Sequence, residues 1–70
     1  MNMVTFKEFD TQHEAVAAGR VWIAAGVATS LVPVTTHIVM IDQDAIQHLD
    51  LHEIRKIKAR ASAAARRAAR

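Results

Sequence analysis

Asp44, His48 and His52 stand four and four residues apart. On a continuous α-helix that spacing puts a carboxylate and two imidazoles on one face, where they could ligate a divalent transition metal. In HLDLH the first histidine is not followed by Glu, so the zinc-protease pattern is absent. Asp50, between the two histidines, is a residue type that starts helices and would break the face in two. The trio is a weak candidate metal site, and the reading preferred here makes both histidines surface residues of a polar linker. His37, in an apolar alternating stretch, reads as a satisfied or edge residue, and His13 as solvent-exposed.

Other chemistries lack their residues. The two glycines, Gly19 and Gly26, are seven apart and are not followed by the Lys-Ser/Thr of a phosphate-binding loop. There is no cysteine, hence no thiol nucleophile, no disulfide and no thiolate metal site, which fits a reducing compartment such as the cytoplasm. Ser30 and Ser62 have no nucleophile signature around them. The expectation is a non-enzyme with no cofactor.

The distribution of charge is the stronger signal. Residues 1–53 carry Lys7 and Arg20 against Glu8, Asp10, Glu14, Asp42, Asp44, Asp50 and Glu53, while residues 54–70 carry seven basic residues and no acid. These are Arg55, Lys56, Lys58, Arg60, Arg66, Arg67 and Arg70. A near-neutral to acidic body with a basic end is the pattern of an arm for nucleic acid or another anionic surface. The segment KARASAAARRAAR has no aromatic residue to stack on bases and no Asn or Gln to read an adenine edge. Contact with nucleic acid would therefore be to the backbone, with little sequence preference.

These residues need elements to position them. Val4 and Phe6 alternate with Thr5 and Lys7 in MVTFKEF, which predicts a strand with one apolar side. Thr11-Gln12-His13-Glu14 has capping-box spacing and opens a helix over about 12–25, with Gly26 where a left-handed cap is wanted. From Val27 the residues become β-branched, and VTTHIVMI (34–41), with Ile38 in it, reads as a core strand behind Pro33. Asp42 is expected to cap a short helix at 43–48. Asp50 caps the last helix, with Glu53 three residues on and Leu49 and Ile54 spaced as a hydrophobic staple. On that helix Leu51, Ile54, Ile57, Ala61, Ala64 and Ala68 form one stripe and most of the cations the other. The fold class expected is α+β, a small single domain of approximately βαβ(β)α order with a basic amphipathic C-terminal helix. Its division is a compact body, 1–53, and a basic Ala/Arg-rich helical tail, 54–70, whose residues 59–70 would be dispensable for the fold because Ala buries little surface.

Seventy residues bury only about 60% of the unfolded chain's surface, so a protein partner, a homo-oligomer or a membrane is expected to add stability. Trp22, the only tryptophan, reads first as a core residue and otherwise as an interface anchor, and Trp22 and Ile38 are the candidate protein-interface residues. The run from 21 to 41 has no Asp, Glu, Lys or Arg and is long enough to cross a bilayer. The seven cations that follow would then place the C-terminus in the cytoplasm. Against a span stand Pro33 and His37 in the run, the Thr11 cap, Gly26 and the change to β-branched residues. The amino terminus lacks a basic region leading into an apolar run and does not read as a secretory signal. The leading expectation is a small cytoplasmic regulatory protein, transcription-regulator-like or phage-associated, that docks on a protein partner and contacts nucleic acid or its acidic machinery through the basic helix. The alternative is a single-pass inner-membrane protein, either a small membrane-complex subunit or a lysis-type protein.

Overall fold

In a computed structural model describing residues 2–70, the chain runs β1 (Met3–Phe9), α1 (Gln12–Ala24), β2 (Thr29–Pro33), β3 (His37–Asp42), α2 (Gln43–Gln47) and α3 (Leu51–Ala68). The α+β class and the C-terminal helix are as the residue patterns predict.

Local signals act where the sequence puts them. Thr11 is extended, and its Oγ1 accepts from the Glu14 amide at 3.3 Å while donating to the Glu14 carboxylate at 2.8 Å. Thus the carboxylate returns to the Thr11 hydroxyl. At the other end of α1, Gly26 has φ 86°. Its amide donates to the Ile23 carbonyl at 2.9 Å, and the Val27 amide donates to that of Trp22 at 3.0 Å. This is the Schellman arrangement, and its customary apolar contact is supplied by Trp22 and Val27, both buried. Asp42 caps α2 through the Asp44 amide at 3.1 Å, and Asp50 caps α3 through the Glu53 amide at 2.8 Å.

The β-branched run makes two strands, as the βαβ(β)α order allows. Residues 34–36, expected at the start of a strand, form the turn of a hairpin closed by Val34 N–H donating to the Thr36 carbonyl at 2.9 Å. Pro33 is the last residue of β2. The sheet has the order β1-β3-β2 and is antiparallel throughout, so β3 is central and contributes the buried Val39 and Ile41. Ile38, expected in the core, is half-buried and points the other way, between Glu8 and Val32 on the neighbouring strands.

A bulge in β1 overturns the simple alternation of Phe6 and Lys7. Thr5 pairs with Met40, but Lys7, not Phe6, pairs with the next residue, Val39. One residue of β3 thus opposes two of β1, which turns both side chains toward the same face. Phe6 packs on Trp22, and Lys7 Nζ reaches Ser62 Oγ of α3 at 3.4 Å.

α1 lies against all three strands, and α3 packs along α1 and reaches β1 through Ser62, giving a two-layer body 15 Å across its shortest axis. Its core is Phe9, Ala15, Ala18, Trp22, Val27, Val39, Ile41, Ile57, Ala61 and Ala65. α1 and α3 pack against each other, and the small residues Ala15 and Ala18 of one and Ala61 and Ala65 of the other are all buried in the shared core. The buried stripe of α3 therefore runs through Ile57, Ala61 and Ala65, while Leu51 is 61% exposed. Residues 54–70, read from the sequence as a tail, supply three members of this core. The uncharged run 21–41 is divided among the last turn of α1, a connection, β2, the hairpin turn and β3. Among the described residues, no helix is long and apolar enough to cross a membrane.

Candidate nucleic-acid interface

Ile57, Ala61 and Ala65 fix which side of α3 faces inward, and the opposite side carries the charge. Arg55, Lys56, Lys58, Arg60, Arg66, Arg67 and Arg70 are all exposed. At about 100° per residue, Arg55, Lys58 and Arg66 fall on one flank of the exposed arc. That flank is toward Ser62 and the edge of β1. Lys56, Arg60 and Arg67 fall on the other, toward the outer side of α1. Between the flanks, the crest carries Ala59 and Ala63, with His52 and Arg70 near its ends. The helix is held at its start by the Asp50 cap and by half-buried Leu49 and Ile54. At its end, Arg66 and Arg67 lie in the last turn, where the helix dipole favours cations. The cations thus project from a fixed support.

The chemistry available is recognition of anions by charge. Ser62, the one hydroxyl of α3, is within reach of Lys7, so the helix offers a neighbouring backbone almost solely ammonium and guanidinium donors. A cleft beside the first flank is lined by Lys7, Phe9, Asp10, Glu14, Ser62 and Arg66. On the second flank, Val21, Ala25, Leu49 and Ile57 line a groove of about 560 Å³ rimmed by Glu53, Lys56 and Arg60. Lys7 was missed by sequence reasoning because only the β1 bulge turns it toward α3. The groove was missed because it exists only once α1 and α3 are packed.

The remaining sequence candidates are dispersed. Asp44 lies in α2, His48 is its C-cap and His52 belongs to α3, with the Asp50 cap between the two helices. Among the described residues, no three His, Cys, Asp or Glu side chains converge as metal ligands would. Trp22 is fully buried and edge-on to Phe6, so it is placed in the core. Ile38 lies on the bare face of the sheet.

Together these features define a small two-layer α+β protein with a one-sided antiparallel sheet and a cationic outer helix. The chain matches no protein-family model and has no significant match among curated proteins or solved structures.

Proposed function

We propose that this is a non-enzymatic binding protein whose α3 lies against the phosphates of a nucleic acid with little regard to sequence. The observation that carries the reading is the set of seven exposed cations on a helix anchored by Ile57, Ala61 and Ala65. Their arrangement favours a duplex over a generic acidic surface. A helix entering a groove about 12 Å wide meets phosphates on both sides, and α3 has cations on both flanks with alanines at the crest to permit close approach. Ion pairs with phosphates fix position but carry no sequence information.

Fluorescence anisotropy with two short DNA duplexes of unrelated sequence tests the reading. Both should bind with similar affinity. Replacing Lys56, Arg60, Arg66 and Arg67 together by Gln, which preserves helix propensity, should weaken both by about eightfold at 0.1 M salt for each phosphate left without its cation. Equal binding by the Gln variant, or strong preference for one duplex, contradicts it.

A further inference from the structure

We propose that β2 is the site at which a second copy of this chain adds. The two β2 strands would pair antiparallel about a two-fold axis at Leu31 and join two three-stranded sheets into one of six. The inference does not depend on what α3 binds.

The two edges of the sheet are built differently. The β1 edge carries Lys7, Glu8 and the bulge, all devices that discourage strand addition. The β2 edge lies within a run that has no charged residue from 21 to 41. Its one protective feature is Pro33, at the strand's end. The exposed large apolar side chains gather there too. Ile23 is 60% exposed, Leu31 40%, Val32 38% and Val34 62%, and of the large apolar residues exposed in the described chain only Leu51 lies elsewhere.

The backbone specifies how a second strand would fit. Asp42 N–H donates to the Ala28 carbonyl at one end of the β2–β3 hairpin, and Val34 N–H donates to that of Thr36 at the other. Bonds alternate along an antiparallel pair, so the even-numbered residues of β2 face β3. Thr29, Leu31 and Pro33 direct their backbone groups outward, and the missing N–H of Pro33 therefore costs the hairpin nothing. When all five residues overlap with those of a second copy, Leu31 lies opposite its own mate and the two exchange both hydrogen bonds. Thr29 N–H then meets the Pro33 carbonyl of the mate, so the outward amides of Thr29 and Leu31 are both satisfied.

Side chains agree with this pairing. Thr29 and Leu31 face the helix layer, beside a notch of about 320 Å³ lined by Val16, Gly19, Arg20, Ile23, Thr29 and Leu31. The absence of a side chain at Gly19 helps to leave it open, since a Cβ there would touch Thr29 Oγ1 at 3.8 Å. In the pair, Leu31 of each copy covers the notch and Ile23 of the other. An uncharged strand that matches its own donors and acceptors about one residue fits a second copy, since nothing in it selects a charged partner. Arg20 has a long stem that can carry its charge away from the seam.

Sedimentation equilibrium of the full chain tests this directly. The expected mass is twice 7.7 kDa, with Leu31→Lys reducing it to the monomer without loss of helical circular dichroism. Because the native sequence has no cysteine, Leu31→Cys supplies a second readout. Cα atoms of a hydrogen-bonded antiparallel pair are about 5.5 Å apart, within disulfide reach. Mild oxidation should therefore link Leu31→Cys into a dimer and leave Val34→Cys, at the hairpin turn, largely unlinked. If Leu31→Lys unfolds, the cross-linking result decides. A native chain that stays monomeric at its highest soluble concentration overturns the proposal. So does a dimer that Leu31→Cys fails to link.

Discussion

Phe6 and Trp22 meet edge to face, with ring centroids 5.3 Å apart and planes at 68°. The contact ties β1 to α1 at the centre of a core otherwise built largely from Ala, Val and Ile. Such ring pairs contribute about 0.5–1.5 kcal/mol beyond the area they bury. Among the described residues Trp22 Nε1 nevertheless has no hydrogen-bond partner, and leaving a buried N–H unpaired costs about 1–3 kcal/mol. Trp22→Ala should destabilise the fold by about 3–5 kcal/mol, enough to unfold most of so small a protein. Trp22→Phe, which keeps a ring and removes the unpaired N–H, should cost much less. Urea denaturation followed by circular dichroism compares the two, and equal losses would show that the packing of Trp22 on Phe6 has little energetic role.

The cap of α3 makes a narrower prediction. Asp50 accepts from the Glu53 amide at 2.8 Å, so Asp50→Ala should cost about 0.5–2 kcal/mol. Asp50→Asn should cost less, because its amide oxygen can still accept. A denaturation midpoint unmoved by Asp50→Ala would mean that the first turn of α3 is held by other interactions.

The seam between α1 and α3 depends on small residues. Ala61 is 0% and Ala65 2% exposed, and enlarging either to Leu forces the helices apart at a cost of about 1–3 kcal/mol. Deleting residues 59–70 removes two buried members of the core and part of the helix packed on α1, so the structure predicts a destabilised body, contrary to what composition alone suggests. A truncated chain with an unchanged thermal midpoint would contradict this packing.

Ile38 and Val39 separate the two faces of the sheet. Val39→Asp places a carboxylate in the closed core and should unfold the chain. Ile38→Asp faces the bare side, where water can hydrate it, and should leave a folded protein with a modestly lowered midpoint. Solubility and circular dichroism of the two variants check the register, and the reverse ranking would require the sheet to be turned over.

These cases also mark what the sequence makes legible. Thr11, Gly26, Asp42 and Asp50 act within a few residues of themselves, and each element end they predict is present. The fold class follows from the same local cues. The division of 27–42 into a hairpin, the bulge at Phe6 and Lys7, and the inward choice of Ala65 over Leu51 all depend on packing between distant segments. Alanine periodicity is a poor guide to a helix's buried side, because Ala is compatible with both core and surface. The cations of the candidate interface were readable as a group from composition. Their division into two flanks around Ala59 and Ala63, and the approach of Lys7 to Ser62, required the packed helix.

The central claim is that α3 contacts phosphates, and its most direct test is the salt dependence of duplex binding. The logarithm of the association constant for the full chain should fall linearly with the logarithm of salt concentration, with a slope of about 0.9 per phosphate neutralised. Replacing Lys56, Arg60, Arg66 and Arg67 by Gln should reduce that slope by roughly 3 to 4 if all four touch phosphate, while circular dichroism stays unchanged. Identical slopes for the two proteins, or no measurable binding by the native chain even at low salt, would contradict the assignment of α3 as a nucleic-acid interface.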